Sequence, residues 1–331
     1  MIWHRSNGSS MTSLFARLLA EGLDGNANKY LRRITRHNGY SGVYIHRRAC
    51  CMSSLVPALH PASIAQLNDL ESYLDATASA GFKAADFNMG QALDLLSAHG
   101  VDAVKNAFVS RGIQAGGWGA GVQVLTSQSD FDAALLDAEQ AAELGAALNA
   151  RASSVLVPNR TDLPRAEALD LFSVRLGDIA DTLAGYGVSV SLEFIGPNLW
   201  PERPHEFISG INGTLDLIDR VGRVNVGILF DTYHYYCGDS RLEDIVKAGS
   251  AINHVHLNDA PSGDVDHLDD SMRLLPGEGI LDLSEIAAAL KAAGYEGPGG
   301  VEIFNDDLRS LPANDGAAQV AAACRRVFGS P

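Results

Sequence analysis

Four residues of metal-ligand type sit at or near the ends of four short apolar runs in the second half of this 331-residue chain. Glu193 lies in 188–194, Asp231 ends 226–231, His256 lies in 252–258 and Glu302 in 301–304. The runs have the length and apolar composition of buried strands, and helix-length segments separate them. A carboxylate inside such a run is costly to bury without a partner, and one shared cation would satisfy all four groups. Two glutamates, an aspartate and a histidine make a mostly oxygen set. That set suits a single divalent cation, with Mn²⁺ expected and Mg²⁺ or Co²⁺ as alternatives, better than structural zinc. Taken singly, each has an ordinary structural reading: Glu193 as a carboxylate paired with an arginine, or Asp231 as a helix N-cap followed by a surface His234. Their recurrence on successive strands favours one shared site.

His254 and His256 alternate with Val255 and Leu257, so both face the same side of their strand. The one nearer the C-terminal end is better placed as a ligand, so His256 is assigned to the metal and His254 to the core one layer lower. Asp259, beyond the strand end, is placed to orient a ligand imidazole or to reach a substrate.

The elements needed to bring these residues together are legible in the same text. Strand-like runs at 54–59, 82–87, 113–117, 152–157, 188–194, 226–230, 252–257 and 300–304 alternate with helical segments at 67–80, 91–111 (broken at Gly100), 130–147, 165–186, 214–221, 242–248, 283–293 and 315–328. Eight such pairs predict a closed α/β (β/α)₈ TIM barrel, in which the C-terminal strand ends converge on one face and carry the chemistry. A doubly wound open sheet would carry a glycine-rich phosphate turn after its first strand, and residues 57–63 have none. The two longest loops, 196–213 and 260–281, fall on the ligand-bearing face.

The net charge of −15 argues against a nucleic-acid partner, and no apolar run is long enough to span a membrane. Cys50, Cys51, Cys237 and Cys324 show neither zinc-ribbon spacing nor disulfide density, and read as thiols of a reducing, cytoplasmic compartment. Residues 1–51 carry a net charge of +6 and lack strand alternation, leaving −21 on the remainder. This leader reads as a disordered, non-barrel extension, with an organellar transit peptide as the alternative, and residues 52–331 as the single barrel domain.

From Met52 onward the chain resembles the xylose-isomerase-like barrel superfamily, in its sugar (phosphate) isomerase/epimerase branch. Ketose 3-epimerases, hydroxypyruvate isomerases, and inosose isomerases and dehydratases belong to that branch. The matching segments are Ser-Leu-Glu-Phe at 191–194, Phe-Asp-Thr-Tyr-His at 230–234, His-Val-His-Leu-Asn-Asp at 254–259, Leu-Pro-Gly-Glu-Gly at 275–279 and Val-Glu-Ile-Phe at 301–304. The resemblance implies that Glu193, Asp231, His256 and Glu302 bind one divalent cation, that the two glutamates exchange protons with substrate carbon, and that His234 contacts the sugar. The epimerases place a substrate arginine six residues after the ligand histidine, where this chain has Ser262; Arg273 is the nearest candidate. The resemblance extends to endonuclease IV-like DNA-repair barrels with three zinc ions. Those need further histidines on strands two and three, which here end in Asp86–Asn88 and Gly117–Gly119.

The expected chemistry is proton abstraction beside a carbonyl polarised by the cation, through an enediolate. Return of the proton to the same carbon gives epimerisation and to the neighbouring carbon isomerisation; loss of a β-hydroxyl gives dehydration. The expected function is thus a metal-dependent isomerase or epimerase of a small, non-phosphorylated sugar, polyol-ketone or cyclitol. The alternatives are a lyase on the same scaffold, acting on an inosose, 3-dehydroshikimate or an oxidised glycoside, and a non-catalytic sugar-binding barrel. Trp118, between glycines, either stacks on the sugar or caps the barrel. Asn88 and Phe304 are further wall candidates, Trp200 and His205 form a lid, and Glu278 serves its loop. A homo-oligomer is compatible with such a barrel, although no pairing surface is marked.

Overall fold

The computed structural model describes residues 55–196 and 201–331. The basic leader, with Cys50 and Cys51, and Trp200 lie outside the described residues. Strands and helices follow one another as β1 (Leu55–Leu59), α1 (Leu70–Ala80), β2 (Ala84–Ala85), α2 (Met89–His99), α3 (Val101–Val109), β3 (Gln114–Ala115), β4 (Trp118–Gly119), α4 (Gln128–Ala147), β5 (Ala152–Val157), β6 (Arg160–Thr161) and α5 (Arg165–Ala184). Then come β7 (Ser189–Phe194), β8 (His205–Glu206), α6 (Ile211–Val221), β9 (Val226–Asp231), α7 (Thr232–Cys237), α8 (Leu242–Ala248), β10 (Ile252–Leu257), α9 (Leu283–Ala292), β11 (Gly297–Val301), α10 (Asp306–Arg309) and α11 (Ala313–Phe328).

The main sheet is parallel throughout, in the order β3-β2-β1-β11-β10-β9-β7-β5-β4. Its two end strands, β3 and β4, are consecutive pieces of one segment, so the sheet closes on itself as a TIM barrel. Strand β6 pairs antiparallel with β8, which carries His205. Capping follows the sequence. Asp69 accepts the Ser72 N–H at 2.7 Å to start α1, Ser127 accepts that of Asp130 to start α4, and Gly81 and Gly222 end α1 and α6 in the left-handed region. The core lies between the barrel and its helices, where Phe131, Phe172, Leu176, Val190, Ile228 and Val255 are fully buried. Among the described residues, no helix is long and apolar enough to cross a membrane.

The third barrel strand departs from the expected 113–117 run: it is two dipeptides flanking Gly116 and Gly117. The cause is space. A Cβ on Gly116 would collide with the Asp86 carboxylate, and one on Gly117 with the His254 imidazole. Gly300 on β11 is constrained the same way by Asp86. Three glycines thus make room for one buried pair inside the barrel. The last strand ends at Val301 rather than 304, so Glu302 stands just past it. Its N–H still donates to the Leu257 carbonyl at 3.1 Å, which holds it in line with β10.

Candidate metal centre

Glu193, Asp231, His256 and Glu302 are all buried and offer ligand atoms within 4.8 Å of one another. They come from the ends of β7, β9, β10 and β11, neighbours in the sheet. His256 Nδ1 lies 3.4 Å from Glu193 Oε1, 3.3 Å from Glu302 Oε2 and 4.0 Å from Asp231 Oδ2. That nitrogen is buried and makes no hydrogen bond among the described residues.

Its tautomer is set from behind. His256 Nε2 approaches Asp86 Oδ2 at 3.5 Å, and His254 Nε2 lies 3.0 Å from the same oxygen. The other Asp86 oxygen accepts the Gly117 N–H at 2.6 Å. A proton held at Nε2 by Asp86 leaves the Nδ1 lone pair facing three carboxylates. That lone pair can be satisfied by a proton or by a cation, and with a cation the four groups would be a ligand set. Electrostatics agree. Burial opposes charging of His256, but the Glu302 charge and the close approach of the Asp86 and Glu193 carboxylates raise its pKa well above the usual imidazole value. Burial likewise opposes ionisation of Glu302, yet the charges of His256 and Arg273 hold it well below the carboxylate range. Asp231 is lowered too, against its burial, chiefly by Arg273.

Asp231 caps a helix and faces the candidate ligands at once. Its Oδ1 caps α7, accepting the N–H groups of Tyr233 and His234 at 2.7 and 3.0 Å, while Oδ2 turns into the site. His234, on the first turn of α7, is buried rather than on the surface, with Nε2 3.9 Å from Glu193.

Arg273 is placed otherwise than as a substrate group. It is fully buried between the rings of Tyr233 and Phe304, at 5.4 and 4.9 Å from their centroids. Its NH1 donates to Asp231 Oδ2 at 2.8 Å and Glu302 Oε2 at 2.9 Å, and its NH2 lies 3.0 Å from His234 Nε2. It is an internal counter-charge bound to the same two oxygens that face His256 Nδ1.

Asp259 departs further from its expected place. It neither orients an imidazole nor faces a substrate, because its carboxylate accepts the N–H groups of Ala260, Gly277 and Leu281 and so ties down the loop after β10. The orienting carboxylate is Asp86, whose only sequence signals were its strand-end position and the glycine pair opposite it. Asn258 was also missed; its Nδ2 donates to Asp231 Oδ2 at 3.0 Å. Asn88 is exposed, caps α2 and borders a different, minor pocket. Glu278 makes a surface ion pair with Arg326.

In front of the four candidate ligands lies a cavity of about 510 Å³. Glu193, His256, Glu302, His254, Asp86 and His60 form its polar floor. Trp118, Val122, Val124, Leu125, Leu156 and Phe172 form an apolar wall, and among the described residues no Lys or Arg lines it. Trp118 is mostly buried, and its indole N–H donates to the Ala150 carbonyl at 3.1 Å, so it forms part of the wall from a fixed position. His60, beyond β1, was not singled out from sequence. Its Nε2 lies 3.5 Å from Glu302 Oε1, and burial pushes its pKa down.

The chain is similar to inosose isomerase of Bacillus velezensis, 31% identical over 141 residues that cover 42% of this chain and 48% of that enzyme. It also matches a 3-dehydroshikimate dehydratase of Pseudomonas aeruginosa, 35% identical over 105 residues, 31% of this chain and 17% of that one. With a D-psicose 3-epimerase of Enterocloster bolteae it shares 32% identity over 133 residues, 35% of this chain and 40% of that one. The chain therefore spans about half the length, or less, of the curated relatives it matches. Among solved structures, a xylose isomerase domain protein from Alicyclobacillus acidocaldarius aligns with a TM-score of 0.76 and 25% identity, covering 83% of this chain and 98% of that one. The IolI protein, whose structure holds a zinc atom, shares the fold with a TM-score of 0.72 and 20% identity, covering 83% of this chain and 98% of that one. The family profile itself matches residues 74–327, and the chain belongs to the xylose isomerase-like TIM barrel family.

Proposed function

We propose that this chain is a divalent-metal-dependent isomerase or epimerase of a small, neutral polyol-ketone, cyclitol or sugar. The observation that carries the reading is the orphaned His256 Nδ1 facing Glu193, Asp231 and Glu302. The three carboxylates and one imidazole would hold the ion, with Mn²⁺ expected from the oxygen-rich set. Such an ion, when bound, acidifies the hydrogen on the carbon beside a ketone. Glu302 and Glu193 are the proton carriers. Both line the cavity, and Glu302 keeps Oε1 free of Arg273, which bonds Oε2. The substrate is taken as neutral because an anionic group would meet the Asp86, Glu193 and Glu302 carboxylates with no Lys or Arg among the described lining residues. The likeness to a 3-dehydroshikimate dehydratase keeps a lyase as the second reading.

Metal analysis of the purified protein beside its Asp231→Ala variant tests the site. About one Mn²⁺, Mg²⁺ or Co²⁺ per chain in the wild type and none in the variant is the expected result. No metal in either, after reconstitution, would overturn it. Product mass then separates the two readings, since only a lyase changes it.

A further inference from the structure

We infer that His60 is a further catalytic residue: a fixed hydrogen-bond donor to the substrate oxygen next to the carbon on which Glu302 works. The inference rests on the proposed metal-dependent proton transfer. It starts from the two nitrogens of one ring. His60 closes β1 and caps the short 3₁₀ turn Pro61–Ser63, its Nδ1 accepting the Ala62 N–H at 3.2 Å. A neutral imidazole has one lone pair, so this bond places the proton on Nε2. Nε2 is the atom that approaches Glu302 Oε1 at 3.5 Å, and both residues line the cavity. The ring is held edge-on to His256, with centroids 5.1 Å apart.

His60, Asp86 and His256 also lie close enough to hold a second ion. Hydrogen bonding rules against that use. Asp86 already takes both neighbouring imidazoles and the Gly117 N–H, and His60 Nδ1 is committed to the backbone. What remains is a single N–H whose nitrogen lies 3.5 Å from the Glu302 oxygen that Arg273 leaves free.

The step balances without a further reactant. The C–H proton moves to a glutamate carboxylate, its electron pair forms the C=C of the enediolate, and the carbonyl π pair moves to oxygen. The His60 N–H stabilises that oxygen by hydrogen bonding and keeps its proton. A preorganised donor facing developing negative charge contributes about 100-fold or more in rate.

Two variants separate this role from the cap. His60→Asn keeps an acceptor near Nδ1 for the Ala62 N–H but has no atom at Nε2. His60→Gln carries an amide N–H near Nε2 and loses the cap. Deuterium incorporation from D₂O into an inosose and into D-psicose is followed by mass spectrometry, beside the Kd for Mn²⁺ and the Tm. The expected result is a kcat about 100-fold lower in the Asn variant, with KM, Mn²⁺ affinity and Tm near wild type, and at least tenfold recovery in the Gln variant. Full exchange in the Asn variant overturns the inference. So does the reverse order, in which Gln loses Tm and rate while Asn keeps both, since that assigns His60 to the cap alone. A wild-type protein that binds Mn²⁺ yet incorporates no deuterium into either compound overturns the proton-transfer reading of the function, and this role with it.

Discussion

Asp86 decides how His256 presents itself, and its effect can be isolated. One of its oxygens holds the Gly117 N–H and the other takes the Nε2 atoms of His254 and His256. Asp86→Asn keeps the volume but replaces one acceptor oxygen by a donor, which pushes His256 toward the tautomer with its proton on Nδ1. Loss of a partner outside the ligand set typically costs 10–100-fold in metal affinity. The Kd for Mn²⁺ by titration calorimetry is expected to rise by that factor in Asp86→Asn, with partial recovery in Asp86→Glu. An unchanged Kd would show that the ring needs no such support. The four candidate ligands were readable because each is a polar residue inside an apolar run, so pattern alone betrays it. Asp86 and His60 were not, because a carboxylate or imidazole at a strand end next to a loop is unremarkable until its neighbours across the barrel are known. Asp259 misled for the same reason: proximity in sequence to His256 suggested an orienting role, while the chain turns its carboxylate onto loop amides instead.

At the level of elements, alternation of apolar runs was enough to locate the barrel strands, because buried parallel strands are apolar on both faces. The interruption between β3 and β4 was not visible that way. Gly-Gly at 116–117 reads as the end of the strand-like run 113–117, yet these glycines serve the close approach of Asp86 and His254. Gly300 makes the sharper test, since it sits mid-ladder on β11 and its missing Cβ is what lets the Asp86 carboxylate reach the two histidines. Gly300→Ala is expected to cost about 1–3 kcal/mol by overpacking and to weaken Mn²⁺ binding together with stability. Gly297→Ala on the same strand is the control. Its Cβ would meet nothing closer than the Tyr295 hydroxyl at 3.4 Å, and its Tm and Mn²⁺ affinity are expected to stay near wild type. Equal losses in both variants would mean that the strand, rather than the Asp86 contact, is what alanine disturbs.

For the molecule as a whole, the carboxylates of Glu193, Asp231 and Glu302 are balanced by Arg273 and, while it is protonated, by His256, and a divalent ion displacing the His256 proton would bring the cluster to neutrality. This makes stability and metal loading one pH-dependent equilibrium. Glu302 and Asp231 have lowered folded-state pKa values, so their contribution is present above the unfolded carboxylate range and is lost as pH falls through and below it. His256 is raised, so its contribution in the ion-free protein is full below about pH 6.5, the unfolded imidazole value, and is lost as pH rises through its folded value. The ion and the proton compete for His256 Nδ1, and binding must release that proton. Stabilisation by ligand follows RT ln(1 + [L]/Kd), so the gain from a fixed Mn²⁺ concentration must grow with pH until His256 is neutral. Differential scanning calorimetry at pH 6, 7 and 8, with and without Mn²⁺, is expected to show an ion-induced rise in Tm that increases across the series. In His256→Gln, whose side chain releases no proton on binding, the residual shift is expected to be small and flat with pH. A wild-type shift that is equally flat would show that no proton leaves the site, and His256 would then not be a ligand.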